Sequence, residues 1–176
     1  QILNQQYLTR EIRLWTRNFF LTEYFNECKR FLTESDVTKN IIESKKMILA
    51  TKESGGQLIF AGNGASASIA NHASLDFTKQ GKVRSVNFNE SAFITAFSND
   101  YGYEKWIEKA LGFYASGGDT LILISCSGTS PNVVNAAKYA NEHSINVITF
   151  TGFSADNPLK AAGDINFWLD CRAYNI

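Results

Sequence analysis

Neither sign of charge is in excess: 17 lysines and arginines meet 17 aspartates and glutamates over 176 residues, for a formal net charge of zero. The balance is also local, with 9 bases and 7 acids in residues 1–55 and 8 and 10 in the rest. Nucleic-acid binders carry a basic patch or stripe, so the balance argues against that class and against polyanion binding through bulk charge. Cysteine is scarce. Cys28, Cys126 and Cys171 have no CxxC spacing and leave one thiol over in any disulfide scheme, which points to a reducing, cytoplasmic setting. Long apolar runs are missing too. The longest, Leu121–Ile124, is far short of the roughly 20 residues of a membrane span, and the start lacks the basic-plus-apolar pattern of a signal peptide. No membrane association is expected. No Gly-Lys-Ser/Thr sequence closes a glycine-rich loop, which argues against a nucleotide-hydrolysing P-loop.

What is present is ordinary globular material, 44% hydrophobic and 19% charged, of a length for about one domain. Residues 2–34 contain no glycine or proline and place Leu8, Ile12, Trp15 and Phe19, then Leu21, Phe25, Cys28 and Leu32, at helical spacing. Ser35 or Asp36 is positioned to cap a second helix through Val37, Ile41, Ile48 and Leu49, which Gly55-Gly56 ends. Residues 1–55 therefore read as an N-terminal helical hairpin. Its aromatic surplus suits either a subunit interface or one face of its own domain.

From residue 57 the pattern alternates. Strands are expected at Gln57–Ala61, Val83–Phe88, Thr120–Ser125, Val147–Thr151 and Ile165–Leu169. Helices are expected at 65–79, at 91–115 with a break near Asp100-Tyr101-Gly102, at 132–143 and at 157–162. Strongly apolar strands alternating with helices imply a parallel sheet covered on both faces. Residues 56–176 are thus a doubly wound α/β domain with an N-terminal helical extension.

In such sheets ligands bind beyond the carboxyl ends of the strands, near the point where strand order reverses. Two of those ends carry unusual loops. Gly62-Asn63-Gly64-Ala65-Ser66-Ala67-Ser68 runs straight into a helix, where small residues let the main chain approach an anion at the helix N-terminus. Ser125-Cys126-Ser127-Gly128-Thr129-Ser130-Pro131 puts Ser130 at an N-cap and Pro131 in the first turn. Its remaining hydroxyls exceed what capping needs and are suited to phosphate oxygens. Each loop alone is also compatible with a simple capped turn; two on neighbouring strands favour a phosphorylated ligand. Gly62-x-Gly64-x-x-Ala67 also satisfies a dinucleotide fingerprint, for which Glu90 would have to be the ribose acid.

His72 and Asp76, four apart, share one helix face. The pair fits two donors of a metal site, a base oriented by an imidazole, or a plain surface hydrogen bond. Asn99-Asp100 is either a capping break or a polar pair aimed at sugar hydroxyls. His143, near a helix end, suits a dipole partner. Cys126 has no base beside it in sequence, which argues against a nucleophile.

The ordered set Gly62-Asn63-Gly64-Ala65-Ser66, His72, Asp76, Asn99-Asp100-Tyr101-Gly102 and Ser125-Cys126-Ser127-Gly128-Thr129-Ser130 resembles the SIS (sugar isomerase) domain, most closely its phosphoheptose isomerase branch. The likeness implies a five-stranded parallel sheet of flavodoxin-like order and a homotetramer with sites between subunits. It implies that Asn63, Gly64, Ala65, Ser66, Asn99 and Asp100 line the substrate and that Ser125, Cys126, Ser127 and Ser130 hold its phosphate. His72 becomes a zinc ligand, and Asp76 stands where the family has a metal-binding, catalytic glutamate. Zinc, and no nucleotide cofactor, is then expected.

The activity implied is aldose–ketose isomerisation of a phosphorylated sugar, sedoheptulose 7-phosphate, through an enediol. The alternative is a non-catalytic phosphosugar-binding SIS module with a regulatory role. Asp76 is one methylene shorter than glutamate, and Ala65 and Ala67 replace a usual glycine and histidine. The family's final helix, with a further histidine and an acid or amide, is expected beyond Ile176.

Overall fold

The computed structural model describes residues 19–33 and 36–172. Leu8, Ile12 and Trp15 of the first expected helix, and the candidate cap Ser35, lie outside these. The chain divides into two compact units, the second being Val37–Arg172.

In the first unit, residues 19–33 form helix α1. Arg30 and Glu27 pair across one turn at 3.1 Å, and the rings of Phe20 and Tyr24 stack with centroids 6.3 Å apart. Phe25 and Leu32 are 63% and 85% exposed, a large apolar surface for one short helix.

The second unit opens with α2 (Thr38–Glu53). Its N-cap is Val37, which makes no side-chain capping bond, so Asp36 is one residue too early for the expected role. Gly55, at φ +77°, ends the helix as expected. The elements then run β1 (Leu58–Gly62), α3 (Ala65–Lys79), β2 (Ser85–Asn87), α4 (Ser91–Tyr101), α5 (Trp106–Tyr114), β3 (Thr120–Ser125), α6 (Pro131–Glu142), β4 (Asn146–Thr151), α7 (Pro158–Ala162) and β5 (Ile165–Trp168). All four strand pairings are parallel, in the order β2-β1-β3-β4-β5. Order reverses between β1 and β3, which sets the ends of those two strands as the place for a ligand.

Strand alternation builds the two faces. Leu58, Phe60, Ile122 and Ile148 point to one side, against Ala70 of α3 and Met47 and Ile48 of α2. Ile59, Ala61, Leu121, Leu123 and Val147 point to the other, against α4 to α7. The second helix is tied down by a buried Thr51–Thr120 hydroxyl bond of 2.6 Å and by Asn40 donating to the Asn166 carbonyl at 2.6 Å. Between α2, α3 and the sheet an apolar hollow of about 590 Å³ remains, lined by Ile48, Ile69, Phe77 and Phe150 among others. Cys28, Cys126 and Cys171 form no disulfide among the described residues. Among the described residues no helix is long and apolar enough to cross a membrane.

Candidate functional site

The first loop leaves β1 at Gly62, where no side chain fits. A Cβ there would stand 2.8 Å from the Ile124 carbonyl and 2.9 Å from Ser66. Close packing of β1, β3 and α3 thus requires the glycine. Gly64 follows at φ +55°, ψ −123° and is the N-cap of α3 with no capping side chain. The Asn63 carbonyl takes the N–H of Ser66 at 3.0 Å and the Gly64 carbonyl that of Ala67 at 3.0 Å. The N–H groups of Gly64 and Ala65 donate to nothing among the described residues, which leaves two donors at the positive end of the helix dipole.

The second loop joins β3 to α6. Ser130 is the N-cap of α6, but its hydroxyl makes no capping bond; its carbonyl instead takes Val133 at 3.1 Å and Val134 at 3.0 Å. The expected capping hydroxyl is therefore uncommitted, because Pro131 and Asn132 form the first turn without it. Ser127 Oγ accepts from the N–H of Thr129 at 3.2 Å and from its hydroxyl at 3.0 Å. Buried Ser125 Oγ accepts from the Gly128 N–H at 3.3 Å. A hydroxyl has one hydrogen and two lone pairs, so Ser127 is left with its hydrogen as its only free valence. The loop presents donors, and donors suit an anion. Cys126 is exposed, and its carbonyl accepts from Gly152 at 2.9 Å.

The two loops are locked together. Asn63 Nδ2 donates to Asn132 Oδ1, and Asn132 Nδ2 donates back to Asn63 Oδ1, both at 2.9 Å. The Tyr103 hydroxyl reaches the same Asn63 Oδ1 at 3.1 Å, and Asn135 Nδ2 holds the Glu104 carbonyl at 2.9 Å. The α4–α5 connection is thereby pinned to both β1 and α6. Asn132 belongs to no motif in the sequence. Its one signal is a polar residue among Val133, Val134, Ala136 and Ala137, all on a buried helix face.

Other expected residues stand apart. Asn99 donates to Asp100 at 2.9 Å in the last turn of α4, both exposed. His72 Nε2 and Asp76 Oδ2 are 3.4 Å apart on α3, with side chains 76% and 51% exposed. The rise of α3 carries Asp76 about 16 Å along the axis from Ala65. Zinc sites take three or four protein ligands. This pair offers two, and no group of three metal-binding side chains occurs among the described residues. The described residues do not complete a zinc site.

Glu90 is committed elsewhere. Its carboxylate caps α4, accepting from Ala92 at 3.1 Å and Phe93 at 2.9 Å, and these main-chain donors hold its pKa below the ordinary value. The acid that the dinucleotide fingerprint needs is thus engaged in a helix cap. His143 closes α6, its Nδ1–H donating to the Tyr139 carbonyl at 2.8 Å, as its position suggested.

With this geometry in view, the family model for the SIS domain matches residues 23–152. The chain belongs to the SIS domain family. Curated relatives of this SIS domain include the phosphoheptose isomerase of Aliarcobacter butzleri, 32% identical over 138 residues that cover 70% of this chain and 73% of that one. The phosphoheptose isomerase of Maridesulfovibrio salexigens is 33% identical over 131 residues, covering 71% of this chain and 64% of its own. The match thus spans about two thirds of the length of these relatives. Among solved structures, the phosphoheptose isomerase of Neisseria gonorrhoeae superposes with a TM-score of 0.75 at 25% identity, covering 87% of this chain and 84% of that one.

Proposed function

We propose that this SIS domain is a sugar-phosphate isomerase acting on sedoheptulose 7-phosphate. The observation that carries the proposal is the pair of loops at the ends of β1 and β3, coupled through the Asn63–Asn132 amides, with every free valence of Ser127 aimed at donation. Its likeness to enzymes named phosphoheptose isomerase, at 32% and 33% identity, supplies the substrate.

The phosphate is taken by the hydroxyls of Ser125, Ser127 and Ser130 and by the N-terminus of α6, beside Cys126. Binding energy from that anchor orients the reacting carbons. Asn63, with the N–H groups of Gly64 and Ala65 and the buried Ser66, faces the sugar oxygens; the family resemblance adds Asn99 and Asp100 from the last turn of α4. Asp76, oriented by the His72 imidazole, removes a proton at one of C1 and C2 and returns it to the other through an enediol. Main-chain and side-chain donors stabilise the oxyanion that develops. His72 and Asp76 would be two of the ligands of a zinc ion, which would supply Lewis-acid polarisation of the sugar oxygens, and no step above depends on it.

Two further elements belong to the same proposal. The exposure of His72 and Asp76 (76% and 51%) leaves the acid–base pair in water, where proton transfer is poorly controlled. A second copy of the chain supplies the cover, within a homotetramer to which the exposed aromatic face of α1 contributes. The setting is cytoplasmic.

The test is isomerisation of sedoheptulose 7-phosphate by the full-length protein, with and without added zinc. Turnover supports the proposal. Tight phosphosugar binding without turnover in either condition overturns it in favour of a regulatory, non-catalytic SIS module.

A further inference from the structure

The polarity of the Asn63–Asn132–Tyr103 network follows from one main-chain group. Asn132, 1% exposed in the first turn of α6, accepts on Oδ1 from the Val133 N–H at 3.1 Å. A main-chain N–H can only donate, so the oxygen and nitrogen of this carboxamide are assigned by its surroundings. The reciprocal 2.9 Å bonds then assign Asn63. Because Asn63 Oδ1 only accepts, the Tyr103 hydroxyl at 3.1 Å must be its donor.

Counting valences shows what the network has left. Asn63 Oδ1 holds two donors and is full. Asn63 Nδ2 retains one hydrogen. The Tyr103 oxygen has spent its hydrogen and keeps its lone pairs, on a side chain that is 54% exposed. Asn132 Nδ2 also keeps a second hydrogen, but on a side chain 1% exposed, so the free valences open to a ligand are one N–H and one acceptor oxygen, on residues joined by a single hydrogen bond. Such a pair complements a hydroxyl, which donates and accepts. It does not complement a phosphate or carboxylate, which only accept. Ser127, left with only its hydrogen in the loop at Ser125–Ser130, has the opposite character.

We propose that Asn132 and Tyr103 are specificity-determining residues: Asn132 positions the Asn63 amide, and Tyr103 completes with it a hydroxyl-recognising element that selects a polyol phosphate over a plain phosphomonoester. The proposal rests on the phosphosugar reading of the site and adds the residues that read the sugar. The serine loop takes the anion; the amide–phenol pair takes the chain of hydroxyls.

The experiment compares dissociation constants of the full-length protein for sedoheptulose 7-phosphate, n-heptyl phosphate and inorganic phosphate by titration calorimetry. The variants are Tyr103→Phe, which removes only a half-exposed oxygen, and Asn132→Asp, which keeps the acceptor for Val133 but loses the donor to Asn63. The expected result is that the preference for the sugar phosphate over heptyl phosphate falls about fivefold or more in each, as expected for one lost hydrogen bond. Inorganic phosphate affinity stays within about twofold of the unaltered protein in Tyr103→Phe, which a general loosening of the site would not allow, whereas Asn132→Asp, with a carboxylate in the first turn of α6, is read only through the ratio of the two organic phosphates. A preference that survives Tyr103→Phe, or a uniform weakening of all three ligands by it, overturns the inference. A wild-type protein with no preference for the sugar phosphate overturns the phosphosugar reading itself, and the inference with it.

Discussion

Gly128 and Asn157 occupy each other's only available space. Gly128 sits at φ +64°, and a Cβ on it would overlap the Asn157 carboxamide. Asn157 cannot retreat. It is 2% exposed, its Oδ1 accepts from the Lys160 N–H at 2.8 Å, and its Nδ2 donates to the Ser154 carbonyl at 2.8 Å and to Thr151 Oγ1 at 3.2 Å. The Gly128 carbonyl in turn takes the Leu159 N–H at 3.0 Å. Gly128→Ala is therefore expected to lower the unfolding free energy by about 2–3 kcal/mol, from left-handed strain plus overlap. Asn157→Ala removes the cap of α7, at about 1 kcal/mol alone. Combined with Gly128→Ala it should relieve part of the loss, so the double variant is more stable than the sum of the singles implies. Urea midpoints measure this, and strict additivity would show that the contact is not the cause.

Ser127→Ala should weaken sedoheptulose 7-phosphate binding by about 1–3 kcal/mol, because the hydrogen aimed outward by the two Thr129 donors is a charge-assisted donor to phosphate. Fold stability should change little, since Ser127 supports only Thr129. Calorimetric titration checks the affinity. An unchanged constant would reduce the loop to a turn.

Asp76→Ala should separate binding from chemistry. Among the described residues the carboxylate's one partner is His72, so phosphosugar affinity is expected to hold within about threefold while kcat falls by about 10²–10⁴, the usual contribution of a positioned acid–base group. Coupled-assay kinetics with direct binding measurements read both quantities. Equal loss of affinity and turnover would assign Asp76 to substrate binding instead.

Glu90 makes the stability of this domain depend on acid. Its pKa is lowered in the folded chain by the Ala92 and Phe93 N–H groups. The stabilisation is therefore fully present above the unfolded carboxyl value of about 4.3, and it is lost as pH falls through the lower folded value. Glu90→Gln should be less stable than the parent at pH 7, and the two should converge below about pH 4. Chemical unfolding at stepped pH values tests this; a difference undiminished at pH 3 would exclude the cap as its source.

Much of the architecture was legible in the sequence because its signals are local. Strand β3, Thr120–Ser125, brackets the apolar run Leu121–Ile124. Gly102, at φ +87°, broke the expected 91–115 helix into α4 and α5. The flavodoxin-like order came through the family resemblance rather than through periodicity. Caps were read less well. Serine, threonine and aspartate mark N-caps statistically, yet the N-cap of α2 is Val37 and Ser130 leaves its hydroxyl unused, since main-chain bonds and Pro131 suffice. Glu90, outside the usual set of capping residues, does cap a helix. The partners of Asn63 were not legible at all. An amide pair between distant residues leaves no periodicity, and Asn132 and Tyr103 show their purpose only once β1 and β3 lie side by side. His72 and Asp76 were found by spacing, which put them on one face of α3 without saying how open that face is.

The amide bonds that join the two loops close a span of 69 residues. Chain closure of that length is entropically costly before any contact repays it, and a parallel β1–β3 pair cannot form locally. No fragment of the chain short of the assembled central sheet holds both loops in register. The loop hydroxyls and the amide pair consequently arise with the native state and vanish with it. A ligand gripped by both loops acts on folding as a one-sided weight: it has nothing to hold in the unfolded ensemble, so it stabilises the folded chain by RT ln(1 + c/Kd), rising with its concentration c.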